Sequence, residues 1–212
     1  AGEHAICQSL SIDPAKLVIS GVSKDEEMIH GAIEAQGIAK RYTVESIEQF
    51  NMLSRIAQSC NTRLQLLLRV TSGNQFGMDT YTVKELASLY SSSPHLDICG
   101  IQYYSGTQKK SLDKVKKELA FLSDLVKSIQ HECGTCIREV EYGPGFPVDY
   151  FNEMTQEETE ADEEKFLQGF CALLAEMKPK RKVILELGRS LAASCGTYLT
   201  SVIDAKNNAG HK

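Results

Sequence analysis

Apolar residues recur along this chain with two alternating periods. Short, dense runs predict strands at Leu17 to Gly21, Ala39 to Val44, Arg63 to Val70, Leu96 to Tyr104, Cys136 to Tyr142 and Val183 to Leu187. Apolar positions three and four apart predict helices over 24–36, 46–59, 83–91, 113–131 and 162–177, with a first helix over 2–11. The middle of Arg63 to Val70 is nearly all apolar, as in a strand covered on both faces. Ser72 to Asp79 reads as loop, and Pro94 as a break. The acidic stretch Gln156 to Glu164 reads as a solvated loop, and Thr197 to Ala205 as a β-rich run.

Strand and helix alternating at this spacing imply parallel strands joined by right-handed crossovers. Six such strands fit an open doubly wound sheet or a (β/α) barrel. A closed eight-stranded barrel takes about 250 residues, so 212 residues fall short by about two βα units. The α/β fold expected here is an incomplete (β/α)8 TIM-type barrel of about six of eight units.

Composition narrows the function classes. Hydrophobic residues make up 42% and charged residues 24%, which is globular usage. A net charge of -5 speaks against a nucleic-acid surface. The basic cluster Lys109, Lys110, Lys114, Lys116 and Lys117 shares a predicted helix with Asp113 and Glu118, so it reads as a solvated face. No apolar run is long enough to span a bilayer, and no signal peptide opens the chain. Seven cysteines suit free thiols in a reducing cytoplasm. Cys133 and Cys136 form a CxxC without a second ligand pair, the histidines lack metal-ligand spacing, and no metal site is expected.

Candidate chemistry shares one address, the C-terminal ends of strands, where α/β folds build ligand sites. Glu186-Leu187-Gly188-Arg189 follows the last strand. Its carboxylate can hold a proton-bearing ring nitrogen, and its guanidinium a phosphate; the plainer alternative is a surface ion pair. Ser105-Gly106-Thr107-Gln108 and Gly143-Pro144-Gly145 follow two earlier strands. Glycines let backbone N–H groups approach an anion, so these segments can build a phosphate cradle. Arg69, also at a strand end, reads as a supporting cation or as a solvated charge.

These segments carry a resemblance that covers essentially the whole chain. Leu17-Val18-Ile19 with Val22-Ser23-Lys24, Thr43-Val44-Glu45-Ser46, Leu68-Arg69-Val70 and Gln75-Phe76-Gly77-Met78 occur in the order found in the fold-type III pyridoxal-phosphate decarboxylases. That family holds the diaminopimelate, ornithine and arginine decarboxylases, with an alanine-racemase-like barrel. Gly100 to Gln108 resembles its Gly-Leu-His-x-His-x-Gly-Ser-Gln segment, Gly143 to Pro147 its Gly-Gly-Gly-Phe-Pro, and Glu186 to Arg189 its Glu-Pro-Gly-Arg.

The resemblance implies pyridoxal 5'-phosphate as cofactor, an amino acid as small-molecule substrate and a cytoplasmic homodimer. It implies that Glu186 holds the ring nitrogen. Gly106, Thr107, Gly143, Gly145 and Arg189 bind the phosphate. Tyr104 stands where the family stacks a His on the ring, and Arg69 where it has an active-site Arg. Gln102 replaces another His, and Pro144 replaces a Gly and has no N–H to offer.

The family's Schiff-base lysine lies on a strand upstream of the segment matching Ala1. Lys24 matches a later loop and is given no tethering role. Residues 1–196 are thus expected to be a partial barrel lacking the first two strands. Residues 197–212 are expected to begin the connection to a C-terminal β-domain. On this reading the chain is a portion of a longer decarboxylase and inactive by itself. A non-catalytic homologue and a racemase of the same fold are the alternatives.

Overall fold

A computed structural model describes residues 2–151, 156–176 and 181–206. The elements alternate throughout: α1 (Gly2–Ser9), β1 (Val18–Ile19), α2 (Glu26–Gln36), β2 (Arg41–Val44), α3 (Ile47–Ser59), β3 (Leu64–Val70), α4 (Thr80–Leu89), β4 (Leu96–Tyr104), α5 (Leu112–Cys133), β5 (Glu139–Gly143), α6 (Gln156–Glu176), β6 (Lys182–Leu185) and α7 (Arg189–Ala192). Four helices start where the sequence supplies a capping oxygen. Asp25, Ser46, Asp79 and Ser111 each accept a hydrogen bond from a backbone N–H in the first turn that follows.

All strand pairs are parallel, and the sheet order is β1 to β6 in chain order. A doubly wound sheet reverses its strand order at a switch point; this one does not, so the barrel reading holds. Curvature shows in one contact. Arg41 on β2 clasps Glu139 on β5 through two 2.7 Å hydrogen bonds. Three strand intervals in a flat sheet span about 14 Å, so the sheet must curl to bring the two side chains together.

The curl separates two faces. Tyr42, Val44, Leu64, Leu66, Leu68, Val70, Ile98, Ile101, Val140 and Tyr142 pack with the helices in one apolar core. Alternate positions turn inward and are largely polar: Arg41, Thr43 and Glu45; Gln65, Leu67 and Arg69; Gly100, Gln102 and Tyr104; Glu139, Glu141 and Gly143. Both faces of β3 are covered, as its composition suggests, yet its inner face also carries Gln65 and Arg69. A bulge between Leu66 and Leu67 skips Cys99 in the pairing with β4. Gly100 then sits where any Cβ would lie 2.6 Å from both the Glu139 carbonyl and Leu67 Cδ2.

Three expectations are corrected. The first strand is only two residues long, because Gly21 turns the chain away at φ 108°. The acidic stretch 156–164 is the start of α6 and not a loop. Glutamate is a good helix former, and its charge favours a helix N-terminus; Met177, the expected helix end, lies outside the described residues. Thr197 to Ala205 pairs with no described strand, and Tyr198, Leu199, Val202 and Ile203 are 86–96% exposed. Strand-forming side chains do not make a strand without a partner edge.

The CxxC proves to be a helix end. Gly134 closes α5 in the left-handed conformation at φ 68°, the Cys133 thiol donates to the Lys84 carbonyl, and the Thr135 hydroxyl donates to the Ala87 carbonyl at 2.6 Å.

Candidate active site

The C-terminal ends of β2 to β6 set a row of polar groups along the inner rim. Arg69 is in register with Gln102, and Gln102 with Glu141; Glu45 extends the row one residue past β2. Arg69 donates to Glu45 at 2.7 Å and stacks its guanidinium 5.1 Å from the centroid of Phe76. Both side chains are largely buried. The alternative of a solvated strand-end charge is therefore set aside for Arg69.

Lys24 stands beside this pair. Its ammonium donates to the Gly21 carbonyl at 2.6 Å and to Gln49 Oε1 at 3.0 Å. Burial lowers its pKa to about 8; Glu45 opposes that shift and Arg69 adds to it.

Glu186 lies just past β6, tied to the sheet by its N–H, which donates to the Tyr142 carbonyl at 3.0 Å. Gln102 Nε2 donates to both of its carboxylate oxygens at 3.0 Å. Glu141 is the second carboxyl here, buried and pushed up to about 8, first by desolvation and then by Glu186. Gln102 Oε1 and Glu141 Oε2 are buried without a hydrogen-bond partner.

The cradle segments meet beside these carboxyls. Gln108 and Val148 exchange two hydrogen bonds of 2.9 and 2.6 Å, and Lys109 N–H donates to the Gly145 carbonyl at 2.9 Å. These bonds zip the loop after β4 to the loop after β5. Gly145 has φ 61°, and a Cβ there would lie 2.1 Å from the Gly106 carbonyl oxygen. A Cβ on Gly143 would lie 2.5 Å from Tyr104 Cδ2 and 3.3 Å from Glu186 Oε2. Tyr104, Gly143 and Glu186 thus converge, as do Gly106, Thr107 and Gly145. The Thr107 hydroxyl is buried and has no partner.

Arg189 is placed differently. It is exposed at the start of α7, with its guanidinium 6.0 Å from the Tyr150 ring centroid.

One correction falls behind the cradle. Lys109 does not belong to a solvated helical face, because α5 begins at Leu112 and Lys109 is buried in the loop before it. Its ammonium meets Glu118 at 2.8 Å. Burial raises the Glu118 carboxyl, but hydrogen bonds from Lys109, Ser105 and Tyr142 outweigh that and hold it below the usual range.

Sequence reading passed over Glu141 and Glu139 as site residues, and Lys24 and Glu45 as a charge cluster. A usable signal was present, since Arg41-x-Thr43-x-Glu45 and Glu139-x-Glu141 repeat polar residues at the two-residue period of a strand.

The chain matches the family model described as pyridoxal-dependent decarboxylase, pyridoxal binding domain, over residues 1–193. It belongs to that family. Diaminopimelate decarboxylase of Vibrio cholerae is 28% identical over 207 residues, 90% of this chain and 47% of the relative. L-glutamyl-[BtrI acyl-carrier protein] decarboxylase of Niallia circulans is 24% identical, covering 99% of this chain and 52% of the relative. The chain spans about half the length of the curated relatives it matches.

Solved structures agree on the fold. Helicobacter pylori diaminopimelate decarboxylase complexed with L-lysine superposes with TM-score 0.72 at 23% identity, over 90% of this chain and 50% of that one. Selenomonas ruminantium lysine decarboxylase gives TM-score 0.70 at 19% identity, over 89% of this chain and 48% of that one.

Proposed function

We propose that this pyridoxal-binding barrel holds pyridoxal 5'-phosphate at the rim of β4 to β6, in an enzyme that decarboxylates an amino acid such as diaminopimelate, ornithine or arginine. The observation that carries the reading is the buried, unpartnered Thr107 hydroxyl beside Gly106 and Gly145, at one end of a site whose other end is Glu186. A donor kept dry and unpaired costs stability, and a phosphate oxygen satisfies it. The glycines fit the same group, because a Cβ at Gly145 collides with the loop at Gly106 and one at Gly143 with the Tyr104 ring.

Bound there, the cofactor supplies a ring that accepts the electron pair left when a carboxylate departs as carbon dioxide. The chain's residues do the rest. Glu186, steadied by Gln102, holds the proton at the ring nitrogen. Tyr104, beside Gly143, would stand against the ring. Thr107 and the backbone at Gly106, Gly143 and Gly145 take the phosphate, and Arg189 supplies charge from α7. Arg69, fixed by Glu45, positions the substrate end.

The proposal extends to a cytoplasmic homodimer. The free state of all seven cysteines supports a reducing compartment. Among the described residues no helix is long and apolar enough to cross a membrane.

Titration with pyridoxine 5'-phosphate and pyridoxine tests the site. These ligands differ only in the phosphate and carry no aldehyde for surface lysines. Preference for the phosphorylated form by about tenfold or more, which is about 1.4 kcal/mol, supports the reading; equal binding sinks it. Release of carbon dioxide from an amino acid by the enzyme containing this chain tests the reaction and separates it from racemisation.

A second reading, a non-catalytic homologue, rests on Gln102 and Tyr104 in the two family histidine positions. It predicts cofactor binding without carbon dioxide release.

A further inference from the structure

The cradle loops are anchored from behind by two buried charges. Lys109 and Glu118 keep only 2% and 8% of their side chains exposed. Glu118 gathers three donors: Ser105 Oγ on one oxygen, and Lys109 Nζ at 2.8 Å and Tyr142 OH at 2.5 Å on the other. Ser105 directly precedes Gly106, and Tyr142 directly precedes Gly143. Lys109 adds two bonds of its own. Its ammonium lies 3.4 Å from the Gly143 carbonyl, and its backbone N–H donates to the Gly145 carbonyl. Those carbonyls bracket Pro144, whose ring nitrogen has no N–H with which to fix the turn. The ammonium also lies 5.2 Å from the centroid of the Tyr142 ring.

We infer that the Lys109–Glu118 pair is a positioning device which sets the loops after β4 and β5 against each other, and so sets the site's selectivity for a phosphorylated ligand. The inference rests on the cradle reading above. Stability alone does not account for the pair. Desolvating two charges costs about as much as their attraction returns, and an apolar pair of similar volume is often as stable. The pair contributes bonds of fixed direction to residues adjoining both glycines. The pair is neutral overall, so its effect on a bound phosphate is geometric.

The double variant Lys109→Met/Glu118→Leu removes both charges together and leaves no buried ion unpaired. The measured quantity is the ratio of pyridoxine to pyridoxine 5'-phosphate dissociation constants, alongside the thermal midpoint. The inference expects a folded protein whose ratio drops about tenfold through weaker binding of the phosphorylated ligand, with pyridoxine binding unchanged. Tyr142→Phe removes one hydroxyl from Glu118 and no charge. It carries the test if the double variant does not fold, and a ratio reduced about threefold or more supports the inference. A wild-type ratio retained in the folded variants overturns the inference and leaves the cradle standing. A wild-type protein with no preference for the phosphorylated ligand overturns the cradle, and the inference with it.

Discussion

Gln102 holds Glu186 from two strands away, with Nε2 placed 3.0 Å from each carboxylate oxygen. The bond depends on the curl, since two strand intervals in a flat sheet span about 10 Å. Gln102 also lies in register with Glu141, whose pKa is raised by burial and then by Glu186, so it is a neutral donor to one of two adjoining carboxyl groups. Gln102→Leu removes that donor and leaves Glu186 with only the neighbouring Glu141 carboxyl. Urea denaturation is expected to show a loss of about 1–3 kcal/mol, with weaker pyridoxine 5'-phosphate binding. Gln102→His returns a donor and is expected to recover most of both.

Glu141 gives the fold a pH dependence in an unusual window. Its folded pKa of about 8 exceeds the ordinary glutamate value of about 4.3. The unfolded chain therefore loses this proton first. Stability from the neutral carboxyl is fully present below about pH 4.3 and declines as pH rises to about 8, with a slope of at most about 1.4 kcal/mol per pH unit. Glu186, Glu139, Arg41 and Gln102 are the polar groups around it. Glu141→Gln is expected to flatten the decline in denaturation series between pH 5 and 9. Glu118 and Glu139 act oppositely: their lowered pKa values make their contribution fade only as pH falls below the usual carboxylate range.

Two glycine substitutions should part in sign. Gly145→Ala places a Cβ 2.1 Å from the Gly106 carbonyl at φ 61°. It is expected to cost on the order of 2 kcal/mol or more and to abolish preference for the phosphorylated ligand. Gly31 lies exposed within α2 with open space at its Cβ. Gly31→Ala is expected to stabilise by about 0.5–1 kcal/mol and to leave ligand binding unchanged. Thermal melts and ligand titrations of the pair check both signs.

Arg69→Leu leaves the Glu45 carboxylate, 3% exposed, without its guanidinium. A loss of about 3–5 kcal/mol is expected. Arg69→Leu/Glu45→Leu is expected to recover part of that loss, because no unpaired carboxylate remains, while Lys24 loses the Glu45 charge that favours its ammonium and the Arg69 charge that opposes it. Equilibrium unfolding of the single and double variants decides.

The chain's alternation of dense apolar runs with helical spacing was enough to specify six parallel strands and the helices between them. Local physics settles these features, because burying an apolar face requires the period of a strand or a helix. Glycine at 143 and 145 and the Glu186 to Arg189 segment could be singled out by residue type, because glycine, glutamate and arginine suit an anion and a ring nitrogen. Only the fold sets Gly145 against Gly106 and Glu186 against Gln102, and it leaves Arg189 exposed beside Tyr150. The acidic stretch opening α6 was misread because charge suggests solvent, although glutamate also favours helix. Tertiary structure alone decided which polar groups are paired. Arg41 meets Glu139 across 98 positions and Gln102 meets Glu186 across 84, and such partners become neighbours only when the sheet curls. The same holds for Lys109. In sequence it is one of five lysines near a helix start; in the fold it lies beneath two loops with Glu118, where burial makes its hydrogen-bond geometry matter more than its charge.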